Sequence, residues 1–237
     1  MIRSSLVILI TCTVYLSCDF GGSDDLKQKD IIDLGIEAAD PIIADASDIF
    51  LQVKIPSNSS EEFRSITFEK SGGTFLGVNT ANPVVKVNEE GTTGIGLRLP
   101  QQPGSLFLRA IAGSSFSADT ILNLGISYPD KILVEPQTRT ISRSQNSVVV
   151  INVKMIKSEH KPSIGISAEF NAFQGSDTIG RFVDLFNAVS NSEGTLSATF
   201  QTIAGEVKLD EPVIIDVCIN NDSNERICNS SELVVIE

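Results

Sequence analysis

Residues 88–92 read NEEGT and residues 191–195 read NSEGT. Four of the five positions agree, and the second stretch starts 103 residues after the first (191 against 88). A second pair repeats at nearly the same spacing. SDIFLQVKI at 47–55 matches SVVVINVKM at 147–155, with LQVKI aligned on INVKM at an offset of 100. Two independent matches at nearly one offset predict tandem copies of a single domain of about 100 residues. In each copy the motif reads as a turn. Asn88 and Asn191 cap it with their side chains, Gly91 and Gly194 supply positive φ, and Thr92 and Thr195 open the next strand.

The stretches around the turns alternate with period two. In SDIFLQVKI, Ile49, Leu51, Val53 and Ile55 face one way, and Phe50, Gln52 and Lys54 the other. TGIGLRL places Ile95, Leu97 and Leu99 on one face, and GISAEFNAF at 165–173 alternates Ile166, Ala168, Phe170 and Ala172. SLFLRAIA at 105–112 and TILNLGI at 120–126 follow the same plan. Turn material punctuates these runs: SNSS at 57–60, SGG at 71–73 and QQPG at 101–104. Short strands without a long amphipathic helix predict an all-β chain, with immunoglobulin-like sandwiches over 42–127 and 128–237. Phe50, Phe68, Phe75, Phe107, Phe170 and Phe200 fall mostly in strands and are expected in the cores.

ITFEKSGGTF at 66–75, NEEGTTGIGLRLP at 88–100 and PGSLFLRAIA at 103–112 together resemble the bacterial immunoglobulin-like domains of intimin- and invasin-type surface proteins. The resemblance covers 45–125 well. The second copy keeps SEGTLSATF at 192–200, lacks a clean SGGTF and carries QGSDTIGRFVDLFNAVS at 174–190. The resemblance implies a structural or binding role and brings no catalytic residues with it.

The N-terminus reads as an address. Arg3 and the α-amino group precede a run from Leu6 to Leu16 that is apolar apart from Thr11 and Thr13. That run is too short for a bilayer-spanning helix and has the length of a signal peptide. Tyr15-Leu16-Ser17-Cys18 resembles the lipobox of bacterial lipoproteins, with Tyr15 in place of the family's usual Leu. The resemblance implies that residues 1–17 are removed and that Cys18 carries fatty acyl groups, palmitate among them, anchoring the protein to a membrane of the cell envelope. Residues 18–41 are rich in acid (Asp19, Asp24, Asp25, Asp30, Asp33, Glu37, Asp40) and read as a solvated tether, with a turn or two of helix over 26–38. Cys12 leaves with the signal, so Cys218 and Cys228 remain. In an exported, oxidising compartment they read as one disulfide stapling the terminal hairpin across CINNDSNERIC.

Composition excludes several classes of function. The formal net charge of −12 disfavours nucleic acid. His160 is the single histidine and lies in the polar stretch KSEHKPS, and no Ser-His-Asp ordering or zinc-ligand cluster is read from the sequence. Asn220, Asp222, Asn224 and Glu225 offer oxygen ligands to calcium, but their spacing is not that of an EF-hand and Asn is common in hairpin turns. No metal, cofactor or enzymatic activity is therefore expected. The expectation is a non-enzymatic, lipid-anchored envelope protein, on the outer membrane or cell surface, working in adhesion, spacing or docking of another protein. The alternative is an accessory lipoprotein of an export or envelope-assembly machine.

Overall fold

The computed structural model describes residues 31–185, 188–223 and 225–237. The expected signal peptide, Cys18 and the first part of the tether lie outside the described residues. The chain divides into two compact units between Gly125 and Ile126. There is no α-helix among the described residues.

The first unit contains β1 (Asp33–Glu37), β2 (Asp48–Lys54), β3 (Ser65–Lys70), β4 (Thr74–Phe75), β5 (Val84–Lys86), β6 (Thr92–Arg98), β7 (Gly104–Ala112) and β8 (Phe116–Leu124). They form two antiparallel sheets, ordered β1-β2-β6-β4 and β5-β3-β7-β8. The second unit contains β9 (Lys131–Pro136), β10 (Thr140–Ser142), β11 (Ser147–Ile156), β12 (Glu169–Gln174), β13 (Asp177–Thr178), β14 (Arg181–Val183), β15 (Thr195–Thr202), β16 (Val213–Asn220) and β17 (Arg226–Ile236). Its sheets run β14-β15-β11-β9 and β10-β17-β16-β12-β13. Each unit is a two-sheet, immunoglobulin-like sandwich.

Alternation explains which side of each strand is buried. Ile49, Leu51, Val53 and Ile55 are at most 7% exposed, and their counterparts Val149, Ile151, Val153 and Met155 at most 3%. Each unit closes over its own apolar cluster, the first around Phe68 and Leu97, the second around Phe200 and Ile215. Burying one such side chain stabilises the fold by about 1.5–3 kcal/mol.

The two units repeat in register as well as in sequence. Leu34 pairs with Val53 and Val134 with Val153; Lys54 pairs with Thr92 and Lys154 with Thr195. A parallel bridge between Ile43 and Gly125 in the first unit has its counterpart in the parallel pairing of β10 with β17. In both units the N-terminal segment therefore starts in one sheet and crosses to the edge of the other.

Three expectations are corrected. The stretch at 33–37, read as tether and as part of a helix, is strand β1. Ile32, Leu34 and Ile36 are buried against β2 and the core while Asp33 and Glu37 point outward. The alternation of apolar residues outweighs the acidic composition. Phe50 is not a core residue: it is 42% exposed, on the outer face. Its ring covers Gly94, where an added Cβ would stand 2.5 Å from it. Phe107 is half-buried, also on an outer face. Phe68, Phe75 and Phe200 are in the cores.

In both units the asparagine of the repeated turn accepts the threonine amide, and its second bond differs. Asn88 Oδ1 accepts from the Thr92 amide at 2.8 Å and the Thr92 hydroxyl at 3.0 Å. Asn191 Oδ1 accepts from the amides of Glu193 at 2.9 Å and Thr195 at 3.1 Å. Gly91 has φ 83° and Gly194 φ 72°. Their carbonyls accept the amides of Ile55 at 2.8 Å and Met155 at 2.7 Å. A Cβ on Gly91 would lie 2.2 Å from the Ile55 carbonyl oxygen, whereas one on Gly194 would meet the Pro162 ring at 2.8 Å and the Met155 oxygen at 3.1 Å.

Gly91→Ala is therefore expected to cost the first unit about 3 kcal/mol, combining left-handed strain with backbone overlap. Gly194→Ala costs less, because a proline ring yields more readily than a backbone carbonyl. Gly77→Ala isolates the conformational part, since Gly77 has φ 73° and open space around its Cβ position; it costs about 1 kcal/mol. Urea unfolding measures all three, and equal losses would contradict this ranking.

Candidate binding face

The outer face of the β5-β3-β7-β8 sheet carries aromatic, guanidinium and exposed apolar side chains suited to contact a partner. Core-facing Leu106, Leu108, Ala110 and Ala112 leave Phe107, Arg109 and Ile111 on the outside of β7. Cross-strand register aligns them in rows: Phe107 opposite Ile121, Arg109 between Glu69 and Asp119, and Thr67 opposite both Ile111 and Val84. Ile121 is 60% and Val84 63% exposed. The Arg109 guanidinium is clamped by Asp119 through two bonds of 2.8 and 3.0 Å and lies 5.3 Å from the Phe107 ring. The hydrogen bonds and charge of Asp119 raise the Arg109 pKa further above its ordinary value. The result is a pre-ordered aromatic and guanidinium surface, the side-chain types over-represented at energetic centres of interfaces. Sequence reading missed it. The usable signal was the parity of SLFLRAIA, where Arg109 marks the outward side.

The second unit presents a different outer face. Cys218 and Cys228 are opposite each other in the β16–β17 ladder and form a disulfide. Beyond them the hairpin tip is ordered by Asn221, whose Oδ1 accepts the Ser223 and Glu225 amides and whose Nδ2 donates to Glu225. Asp222 accepts the Tyr128 hydroxyl at 2.7 Å, and Asn220 donates to Glu169. Asp222 and Glu225, two of the oxygen donors considered for calcium, are thus turned to separate partners. Asn224 lies outside the described residues. No group of three His, Cys, Asp or Glu side chains placed to hold a metal occurs among the described residues.

His160 lies in an exposed stretch with φ 63°. Two shallow clefts adjoin the repeated turns. One, of about 690 Å³, is lined by Arg64, Lys86, Asn88 and Glu89, and the other, of about 500 Å³, by Glu135, Lys154, Asn191 and Thr195. Arg64 is engaged by the carbonyls of Ser57 and Asn88.

No protein-family model matches the sequence, and no curated protein matches it. Among solved structures, the chain is similar to the Yersinia pseudotuberculosis adhesin InvE, with a TM-score of 0.54 and 14% identity over 90% of this chain and 61% of that one. It is also similar to invasin, a bacterial integrin-binding protein, with a TM-score of 0.56 and 16% identity over 86% of this chain and 39% of that one. The chain thus spans about three fifths of the first protein and two fifths of the second. At these identities the likeness defines the fold: tandem immunoglobulin-like sandwiches of the kind found in these adhesins.

Burial and the hydrogen bond to Asp222 push the Tyr128 phenol up to about 12 from its ordinary value of 10. The fold favours the neutral phenol, so its contribution to stability is complete below pH 10 and is lost as pH rises towards 12. Absorbance at 295 nm, taken as the difference between the protein and its Tyr128→Phe variant, is expected to titrate near 12 when folded and near 10 in denaturant. Equal midpoints would show that the contact with Asp222 is not held.

Proposed function

We infer that this is a non-enzymatic, lipid-anchored protein of the bacterial cell envelope that docks another protein, in adhesion or as a spacer that holds a binding face away from the membrane. The observation that carries the reading is the ordered face of Phe107, Arg109, Asp119 and Ile121 on the first of two tandem sandwiches. The likeness in fold to InvE, an adhesin, and to invasin, an integrin-binding protein, supports the same direction. Cys18, behind a short apolar run, is the anchoring residue in this reading. Two or more acyl chains on it hold a protein stably on a membrane, at about 0.8 kcal/mol per buried methylene.

Two measurements test this. Protease treatment of intact cells, with lysed cells as control, is expected to remove the protein; protection in intact cells would sink the surface role and favour an inward-facing accessory lipoprotein. Cys18→Ala is expected to shift the protein from the membrane to the soluble fraction, and persistent membrane association would refute the anchor.

A further inference from the structure

The disulfide of the second unit is asymmetric in its surroundings. Cys218 is 1% exposed, whereas Cys228, directly across the ladder, is exposed. Carboxylates flank the buried sulfur. Asp216 Oδ2 lies 3.6 Å from Cys218 Sγ. Glu169 of β12 stands opposite Cys218 in register and holds Asn220 at 2.9 Å and Arg226 at 3.1 Å. Arg226 is thereby paired with Glu169, and among the described residues Asp216, beside Cys218, has no ion-pair partner.

We propose that this disulfide exchanges with external thiols at one sulfur only, with Cys228 as the site of attack and thiol modification and Cys218 as the resolving cysteine. An incoming thiolate reaches the Cys228 sulfur and forms a new S–S bond with it. The Cys218–Cys228 bond breaks, and its electron pair leaves on Cys218 as a thiolate, which takes a proton from water. The attacking thiol is the only co-reactant. In the reverse step the Cys218 thiolate attacks Cys228 and expels the external thiolate. The ladder running from Val213 opposite Leu233 to Asn220 opposite Arg226 keeps the two positions adjacent throughout. Attack at Cys218 is blocked by burial, and Asp216 makes Cys218 a poor leaving group by disfavouring its thiolate. The bond therefore opens slowly towards small thiols and recloses by itself.

The test uses the full chain with glutathione as the probe. Cys218→Ser and Cys228→Ser variants are incubated with oxidised glutathione, and the adducts at these two positions are followed by peptide mass mapping, each rate divided by that of the same variant in urea. Cys228, in the Cys218→Ser variant, is expected to react about tenfold faster than Cys218 in the Cys228→Ser variant after this normalisation, which removes the intrinsic difference between the two thiols in the unfolded chain. In the unsubstituted protein, acid quenching during reduction by glutathione is expected to trap an adduct on Cys228. Asp216→Asn is expected to speed reduction severalfold. Adducts on Cys218, equal normalised rates, or no acceleration by Asp216→Asn would each overturn the proposal.

Discussion

The hydrogen bonds from Ile55 to the Gly91 carbonyl and from Met155 to the Gly194 carbonyl set the register of each sandwich. Each ties the end of one core strand to the turn that launches its partner, so Lys54 falls opposite Thr92 and Lys154 opposite Thr195. In a strand with one buried face, a slip of one residue would turn every core side chain outward. The turn must approach the neighbouring strand closely enough for the bond, and that approach leaves no room for a Cβ at Gly91. The repeated pentapeptide is thus the visible trace of a geometric requirement met twice.

The same constraint explains why the repeat was legible and why parts of it were not. The turn and the long core strands β2 and β11 could be read because burial imposes alternation on them. Strand β1 was missed because its outward residues, Asp33 and Glu37, made the stretch look like tether. The offset already in hand would have found it: moving KILV at 131–134 back by 100 lands on IIDL at 31–34, and Ile32 and Ile132 are each 2% exposed. The counterpart of SGGTF in the second copy was also hidden. Gly73-Thr74-Phe75 pairs onto Arg98 and Leu97, and Gly180-Arg181-Phe182 pairs onto Gln201 and Phe200 in the same way. Both glycines have positive φ and bring the backbone against a carbonyl, at 2.5 Å for Gly73 and 2.6 Å for Gly180 from an added Cβ. Only Gly and Phe are fixed by that geometry, so the intervening residue was free to change and the match fell below notice.

The candidate face was less legible, because nothing in a sequence states which outward side chains will meet across strands. Phe107, Arg109, Glu69, Asp119 and Ile121 come from three strands, and only the register unites them. Several other charged groups are taken up in the same way. Arg98 pairs with Asp48 across β6 and β2, and Arg226 reaches Glu169 beyond β16. Exposed pairs of this kind contribute little to stability, because water and salt screen them. Their effect is to pin long side chains in defined positions on the sheet, which lowers the ordering cost of binding.

Packing constrains the two faces of a sheet unequally. Inward positions must fill a core in both copies, and they do so with similar residues: Leu51 and Ile151, Val53 and Val153, Leu97 and Phe200. Outward positions carry no such obligation, and there the copies part. The first bears a guanidinium stacked on a phenyl ring beside an exposed isoleucine. The second bears a disulfide flanked by Asp216 and Glu169. Two copies of one binding site would need matching outward rows, because the same partner surface must meet the same side chains twice. These rows do not match. A contact made through the first copy's face would therefore need no counterpart in the second, whose outward side carries the Cys218–Cys228 disulfide instead.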